Sequence, residues 1–382
     1  MTIKLDHDIL YQMTRLTPNL RIPGPTPIPD EVIKSLSRQM INHRGGQYEQ
    51  MQERITENLK YFFQTNNDIF LLTGSGMGGL EAAVVNFFSK NDKLIFFTCG
   101  EFGNRWAEIG KRFGGNVIQI KTQAGMGVNS TRAERVLKEN NDAAGVFITH
   151  NETSTGVIND IKSVASGVDR HKNKPLFLVD SISAMGAVNL PVDKLGIDVA
   201  VSASQKAWMA PPGIAMISVS ERAWKRYGRA NMPKYYFDLG MYREFAKKNQ
   251  TPATPAVSTL FGLDRSLEMM RKEGRKSVFQ RHSDLKDYFR KKINKTGLEL
   301  FVNESHASPT LTSIKLPEKT DSHILLQILR DKYNTVIAGG MGETKGKIIR
   351  IAHMGYVNRR DLDQVTEALI SAFKDMQTAG NS

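Results

Sequence analysis

The segment Asp198-Val199-Ala200-Val201-Ser202-Ala203-Ser204-Gln205-Lys206 decides the interpretation of this chain, because a short apolar-polar run leads directly into a lysine. A second apolar run, Pro175-Leu176-Phe177-Leu178-Val179, ends in Asp180, twenty-six positions before that lysine. We predict that both runs are strands. The carboxyl ends of strands in a parallel sheet share one edge, so an amine and a carboxylate are expected there together.

This pair meets the chemical needs of pyridoxal phosphate (PLP). The lysine amine forms a Schiff base with the aldehyde, and the carboxylate keeps the pyridine nitrogen protonated. The chain contains 52 lysine and arginine residues, so a lone lysine after a strand would ordinarily lie at the surface. The interpretation therefore depends on features elsewhere in the chain.

Short apolar runs alternate with helical patterns between about residues 68 and 220. The runs lie at 69–72, 94–97, 117–120, 146–149, 176–179, 198–203 and 214–217, and helical patterns lie at 80–88, 106–113 and 133–137. This alternation predicts an α/β fold with a mainly parallel seven-stranded sheet and helices on both faces. After about residue 260, charged helical patterns surround two strand-like runs, 310–314 and 348–351, which predicts a smaller α+β domain.

A glycine-rich loop, Thr73-Gly74-Ser75-Gly76-Met77-Gly78-Gly79, follows the first predicted strand and opens a helix. Glycines let the backbone approach an anion, and the helix start presents free N–H groups, so we expect a phosphate site. The loop also spells G-x-G-x-x-G, and Glu101 lies where the ribose-binding acid of a dinucleotide fold would sit. A nicotinamide-dependent oxidoreductase and a plain tight turn therefore stay open at this point.

Three further features could belong to a site. Phe102 follows a predicted strand and could stack on a cofactor ring, although a core position is the ordinary alternative. Residues 149–156 place polar side chains after another strand, as a cofactor site or an ordinary turn would. Arg350 stands among apolar residues in Ile348-Ile349-Arg350-Ile351, where burial would require an anionic partner such as a substrate carboxylate. An exposed strand face is the alternative for Arg350.

The composition limits which kinds of site, partner and location remain possible for this protein. The chain has 382 residues, of which 40% are hydrophobic, and Cys99 is its only cysteine, so neither an intramolecular disulfide nor a cysteine-based zinc site can form. No metal is expected. The net charge is +13, but the basic residues are spread along amphipathic segments, and we expect solvated helix faces rather than a nucleic-acid partner. No apolar run approaches the roughly 20 residues of a membrane span, so a cytoplasmic protein is expected.

In combination, these motifs resemble those of the class V aminotransferases of PLP fold type I. The chain is most similar to the alanine/serine–glyoxylate (serine–pyruvate) aminotransferase group. The resemblance extends over nearly the whole chain. It is specific because all of the motifs occur together and in the same order along the chain. It is carried by Pro23-Gly24-Pro25, the glycine loop with Leu80-Glu81-Ala82-Ala83, Gly100-Glu101-Phe102-Gly103, Ser154-Thr155-Gly156, Asp180-Ser181, Ser204-Gln205-Lys206, Thr254-Pro255-Ala256 and Ile349-Arg350-Ile351.

The resemblance implies a role for each site residue. Lys206 would bind the cofactor covalently and later transfer the proton, and Asp180 would pair with the pyridine nitrogen. Phe102 would stack on the ring. The phosphate would be held by Ser75, Gly76, the Met77 backbone and Gln205, while Ser154 or Thr153 would border the ring. Thr254 would reach the cofactor of the neighbouring subunit, Arg350 would bind the substrate carboxylate, and Gly24 would line the substrate side.

The resemblance also implies a homodimer with a site shared between subunits. An N-terminal arm, 1–20, would pack on the partner, a large PLP-binding domain would cover 21–272, and a small C-terminal domain would cover 273–382. Relatives often carry a tyrosine a few residues before the position of Thr254, whereas this chain reads Gln250-Thr251-Pro252-Ala253 there. The cofactor phosphate is therefore expected to be held differently.

The implied activity is transfer of an amino group from alanine or serine to glyoxylate or pyruvate by a ping-pong mechanism. A transaminase that uses aspartate or another donor is the nearest alternative. A cysteine desulfurase would need a mobile-loop cysteine, whereas Cys99 follows a predicted strand. A nicotinamide-dependent oxidoreductase would leave Asp180 and Lys206 without a role. A basic binding protein that has lost catalysis is a further alternative, but it would not explain why every expected catalytic and binding position carries a suitable residue.

Overall fold

The computed structural model of the protein describes residues 17–379. The strands are β1 (Asn19–Leu20), β2 (Asp68–Thr73), β3 (Lys93–Thr98), β4 (Asn116–Lys121), β5 (Gly145–Thr149), β6 (Asn151–Glu152), β7 (Val157–Ile158), β8 (Leu176–Asp180), β9 (Val199–Ala203), β10 (Ile214–Val219), β11 (Leu311–Lys315), β12 (Thr335–Val336), β13 (Ala338–Gly339) and β14 (Ile348–Ala352).

The α-helices are α1 (Asp30–Leu36), α2 (Gly46–Phe63), α3 (Gly76–Val85), α4 (Glu101–Arg112), α5 (Ser130–Glu139), α6 (Ile161–Arg170), α7 (Glu221–Tyr227), α8 (Leu239–Ala246), α9 (Val257–Glu273), α10 (Arg275–Asn294), α11 (Ser322–Asp331) and α12 (Arg359–Ala379). Two short 3-10 helices cover Glu304–His306 and Gly342–Thr344.

A seven-stranded sheet forms the centre of the molecule, in the order β2-β10-β9-β8-β5-β3-β4. Only β10 runs against its neighbours, pairing antiparallel with β2 and β9. Each of the seven predicted runs is a strand of this sheet, with ends that agree within two residues. The predicted α/β fold with a mainly parallel seven-stranded sheet is confirmed.

The inner strands of this sheet are largely apolar because both faces are covered, whereas the edge strand β4 is only partly buried. Successive residues of β2 and β3 pack into opposite core clusters: Ile69, Leu71, Ile95 and Phe97 on one face, and Phe70, Leu72, Leu94 and Phe96 on the other. Continuous apolar runs are typical of strands buried on both sides. The sheet is therefore a rigid base whose carboxyl edge can hold a site.

Helix starts differ from the predicted patterns. The helix predicted at 80–88 begins at Gly76 and ends at Val85, so half of the glycine loop is the first turn of α3. The pattern at 106–113 starts inside α4 and runs one residue past its end at Arg112, and the pattern at 133–137 marks only the inner part of α5. The apolar stripe that reveals a helix lies where side chains meet the core, whereas the first turns here carry polar residues and glycines.

The strand order does not fit a dinucleotide-binding fold. In that fold, the strand before G-x-G-x-x-G lies beside the following strand of the first βαβ unit. Here β2 pairs with β10 at one edge, and four strands separate it from β3. Glu101 opens α4 after β3, far from the glycine loop in the sheet order. The sequence pattern behind the oxidoreductase alternative is thus a coincidence of spacing.

The C-terminal part of the described chain has its own buried cluster. The predicted runs 310–314 and 348–351 form β11 and β14 of a three-stranded antiparallel sheet, β11-β14-β13. Apolar residues of α10, α11 and α12 pack on it. The division into 21–272 and 273–382 stays a prediction. Most of the predicted 1–20 arm lies outside the described residues, although β1 pairs with β12.

Among residues 17–379, no helix is both long and apolar enough to cross a membrane.

Candidate active site

A cavity of about 170 Å³ opens at the carboxyl edge of the central sheet. It is lined by Ser75, Gly76, Met77, Leu80, Phe102, Asn151, Thr153, Asp180, Ile182, Ser183, Gln205 and Lys206. Eight of these residues were predicted from the sequence as site residues. They come from the ends of β2, β3, β5, β8 and β9, so the sheet brings together positions that lie far apart in sequence.

Lys206 lies three residues beyond the end of β9, with its side chain largely buried. Burial lowers the pKa of its amine to about 8, Asp180 opposes this change, and Arg350 adds to it. The Nζ atom donates a hydrogen bond to the carbonyl oxygen of Pro23. An amine with a pKa near 8 is available as a nucleophile or base at neutral pH.

Gly24 packs closely against the side chain of Lys206. Its φ is +115°, in the range that favours glycine. A Cβ atom at this position would lie 2.6 Å from Nζ of Lys206 and 2.8 Å from its Cδ. Any other residue at position 24 would therefore displace the lysine side chain, which places Gly24 directly beside Lys206.

Asp180 ends β8 and is 4% exposed. Its Oδ1 accepts a hydrogen bond from the Ile182 N–H (3.0 Å), and its Oδ2 accepts one from the Thr149 hydroxyl (3.3 Å). Burial raises the pKa of Asp180 to about 7, and the charge of Glu152 contributes to the rise. A buried carboxylate at this pKa is ready to pair with a cationic ring nitrogen.

The glycine loop closes the cavity at the start of α3. Its first N–H groups have no acceptor within the helix, as at every helix start, and the Ser75 side chain does not cap them. A Cβ at Gly76 would lie 2.6 Å from Cδ1 of Ile182, so only glycine allows this close approach. Free N–H groups and the helix dipole together suit a phosphate.

The cavity also contains polar atoms without partners. Among residues 17–379, Oδ1 of Asn151 and Oε1 of Gln205 are buried and accept no hydrogen bond. The Asn151 amide nitrogen donates to the Ser183 and Thr310 hydroxyls, each at 2.8 Å, which fixes the direction of the amide. Buried polar groups are normally paired, so these atoms indicate a polar ligand. The residues present therefore fit PLP.

Arg350 lies in β14 beside the cavity, 6% exposed. Its Nη1 donates to the carbonyl oxygen of Thr153 (2.7 Å) and its Nε to that of Gly339 (2.8 Å). Burial lowers the pKa of the guanidinium to about 10, although the charge of Glu152 opposes this change. It forms no ion pair within the described chain. A buried, unpaired guanidinium is suited to an incoming carboxylate.

Four predicted residues do not line the cavity: Gly24, Ser154, Thr254 and Arg350. Of the pair Thr153 and Ser154, only Thr153 lines it. The Ser154 hydroxyl instead donates to Glu152 (2.7 Å) and accepts from the Glu101 N–H (2.9 Å). Thr254 is exposed in the loop before α9, and its predicted contact with a neighbouring subunit stays a prediction.

The sequence assigns no individual role to several residues of this edge. Ile182 and Ser183 line the cavity, as does Asn151 of the predicted polar segment 149–156, and Glu152 of that segment lies buried behind the cavity. Each of these residues follows a predicted strand within a few positions. That location at the carboxyl end of a strand is the sequence signal that could have identified them as site residues. Among residues 17–379, no group of three or more histidine, cysteine, aspartate or glutamate residues could hold a metal ion.

Comparisons with known proteins agree with this geometry. The family model of class V aminotransferases matches residues 19–365. The chain is 40% identical over 345 residues to a protein of Anabaena cylindrica named soluble hydrogenase 42 kDa subunit, covering 90% of each chain. It is 32% identical over 371 residues to a serine–glyoxylate aminotransferase of Hyphomicrobium methylovorum, covering 94% of this chain and 90% of that one.

A solved structure shows the same fold. The crystal structure of an alanine–glyoxylate aminotransferase from Nostoc sp. superposes with a TM-score of 0.90 at 26% identity, covering 94% of this chain and 95% of that one. The similarity in sequence and fold spans both the sheet edge that holds Lys206 and Asp180 and the strand that holds Arg350. The chain therefore belongs to the class V aminotransferases, and its cofactor is pyridoxal phosphate.

Proposed function

We propose that this protein transfers the amino group of alanine or serine to glyoxylate or pyruvate in two half-reactions. One observation carries the proposal: the buried amine of Lys206 and the buried carboxyl of Asp180 line one cavity, and the buried guanidinium of Arg350 lies beside it. Transamination needs a base, a partner for the ring nitrogen and a group that binds the substrate carboxylate. Lys206, Asp180 and Arg350 can fill these three roles in that order.

PLP, when bound, supplies an aldehyde that condenses with amines and a ring that accepts the electron pair left at the substrate Cα. Lys206 would hold the cofactor, and its amine, once displaced by the substrate, would remove the proton from Cα and return a proton later. The lowered pKa matters here: near pH 7, an amine with a pKa of about 8 is unprotonated roughly 300 times more often than one at 10.5.

The other residues would hold the reactants in place. Asp180, fixed by the Ile182 N–H, would keep the ring nitrogen protonated. Ser75, Gly76, the Met77 backbone and Gln205 would hold the phosphate, and Phe102 would cover the ring. Arg350 would bind the substrate α-carboxylate, since its guanidinium can make two parallel hydrogen bonds with it.

The charge of the site favours a donor with one carboxylate. Within the described chain, Lys206 is the only cationic residue lining the cavity, and Arg350 lies beside it. One guanidinium suits alanine or serine, because their side chains are neutral. Aspartate would bring a second carboxylate, for which the described residues lining the cavity offer no further cation.

We also infer a homodimer in which Thr254 reaches the cofactor phosphate of the partner. The exposure of Thr254 before α9 supports this inference, because the side chain is free to meet another subunit. Large exposed side chains such as Tyr235, at 81%, also provide surface for association.

A donor–acceptor panel tests the function. Purified PLP-loaded protein is given alanine, serine or aspartate with glyoxylate or pyruvate, and the amino acid products are measured by chromatography. We expect turnover with alanine or serine and little with aspartate. Lys206→Ala should lose multiple turnover. Normal turnover by Lys206→Ala, or no amino transfer by the wild type with any pair, would contradict the proposal.

A further inference from the structure

Glu152 is a completely buried carboxylate that the reaction described above does not use. It lies in β6, directly before Thr153. Its Oε2 accepts hydrogen bonds from the N–H groups of Phe102 (3.1 Å) and Gly103 (3.0 Å). Its Oε1 accepts from the N–H (3.0 Å) and hydroxyl (2.7 Å) of Ser154. Every one of these bonds is accepted, which suits the ionised form.

These bonds cap α4 from a separate loop. The residue before the helix, Gly100, has no side chain to cap it. The Ser154 hydroxyl therefore accepts from the N–H of Glu101 (2.9 Å), while Glu152 accepts from the next two. A negative charge at a helix start is favourable. The capped turn carries Phe102, whose side chain lines the cavity.

The glycine at position 100 makes this arrangement possible. A Cβ there would lie 2.4 Å from the Ser154 hydroxyl oxygen and 2.5 Å from Cγ of Glu152. The backbone before α4 thus packs directly against the carboxylate side chain. Such close packing holds the first turn of the helix at a fixed distance from the loop at 151–154.

Glu152 also acts electrostatically on two groups of the site. Its charge contributes to the raised pKa of Asp180 and opposes the fall in the pKa of Arg350. Burial raises the pKa of Glu152 itself, and the bonds from Ser154, Gly103 and Phe102 oppose that rise. A single buried charge is therefore felt on both the cofactor side and the substrate side of the cavity.

We propose that Glu152 is a positioning residue for transamination, whose buried carboxylate fixes Phe102 through the first turn of α4 and places a negative charge behind the cavity. Its contact with the helix start and its electrostatic effect both follow from the same buried position. The proposal rests on the proposed function for its effect on turnover, but its electrostatic part concerns the protein without cofactor.

The first test uses the cofactor-free protein and a double-mutant cycle. Asp180→Asn, Glu152→Gln and the double variant are compared with the wild type by thermal denaturation at pH 8. Asp180→Asn should raise the melting temperature in the wild-type background and raise it less beside Glu152→Gln, because part of the charge repulsion is already gone. Equal increases in both backgrounds would overturn the proposal.

The second test separates charge from capping. Glu152→Gln should weaken PLP binding roughly ten-fold through the lost cap. In the cofactor-free protein it should also lower the pKa of Asp180 by about half a unit or more, because a negative charge is lost, and the pH dependence of the free energy of unfolding reports that pKa. Ser154→Ala loosens the same cap but keeps the charge, so it should weaken PLP binding and leave the pKa of Asp180 in place.

Glu152→Asp keeps the charge on a shorter side chain. It is the variant to test if Glu152→Gln does not fold. It should keep the wild-type pKa of Asp180 in the cofactor-free protein and bind PLP less tightly. Wild-type PLP affinity and an unchanged Asp180 pKa in Glu152→Gln would overturn the proposal, as would equal shifts of that pKa in Glu152→Gln and Ser154→Ala. If the wild type fails to transaminate, the proposed function fails, whereas the cofactor-free cycle still decides the electrostatic role.

Discussion

Replacing Asp180 with asparagine should make the cofactor-free protein more stable while it destroys activity. Asparagine has the same shape and can still accept the Ile182 N–H bond, but it carries no charge. The pKa of Asp180 rises from 3.8 to about 7 on folding. The folded protein therefore binds more protons than the unfolded chain between these values, so ionised Asp180 destabilises the fold increasingly as pH rises.

The size of this effect follows from the pKa difference. Each unit corresponds to about 1.4 kcal/mol, so the carboxylate costs about 2 kcal/mol at pH 5.5 and about 4 kcal/mol at pH 8. Asp180→Asn removes that cost. Relative to the wild type, its free energy of unfolding should therefore rise by these amounts, and the gain should approach zero near pH 4.

The assay is urea denaturation of the cofactor-free proteins at several pH values and a fixed protein concentration. Asp193→Asn is the control: its exposed carboxylate accepts bonds from the Thr65 hydroxyl, the Asn66 N–H and the Asn67 amide and does not line the cavity. Its change in stability at each pH measures the effect of removing a carboxylate outside the cavity. Adding PLP should stabilise the wild type more than Asp180→Asn, because the bound ring nitrogen offsets the buried charge. A gain that is absent at pH 8, or equal at pH 5.5 and 8, would refute this reasoning.

Other changes have equally definite outcomes. Gly24→Ala should lower kcat by at least about ten-fold, since its Cβ would lie 2.6 Å from Nζ of Lys206; an unchanged steady-state rate would contradict this contact. Arg350→Lys should raise KM for amino and oxo acids by roughly 10- to 100-fold, because lysine cannot make the two parallel bonds, and unchanged KM values would exclude the role. The rate at which cofactor-free protein takes up PLP should rise with pH around 8, where Lys206 loses its proton, as stopped-flow absorbance would show; a midpoint near 10.5 would contradict the lowered pKa. Phe147→Ala should lower the free energy of unfolding by about 3–5 kcal/mol, because this buried ring stacks on Phe96 with centroids 4.0 Å apart; chemical denaturation measures it, and a loss under 1 kcal/mol would count against that packing.

Strand-end residues could be found from the sequence because strands are short apolar runs and a parallel sheet gathers their ends. Lys206 and Asp180 were identified in this way, and both line the cavity. Arg350 was found because an arginine in an apolar strand is unusual. In each case, the local sequence pattern and the chemical type of the residue were enough to identify it as a site residue.

The remaining features depend on contacts through space. Nothing local indicates that Glu152 caps a helix that begins about fifty positions earlier, since capping is normally read from residues next to the helix. Thr153 and Ser154 are neighbours of similar chemistry, and only the turn after β6 decides which one faces the cavity. Thr254 depends on a second subunit.

The position of β10 has a consequence for how the protein is made. Strand β2 is bonded in the sheet to β10 alone, and the paired residues are about 140 to 150 positions apart in sequence. Contacts over such separations form slowly, and domains fold as their chain emerges during synthesis. Until Val219 has left the ribosome, β2 and the glycine loop after it have no place in the sheet. The phosphate-binding half of the site is thus synthesised early and assembled late, and a nascent chain shorter than about 220 residues should be unable to bind the cofactor.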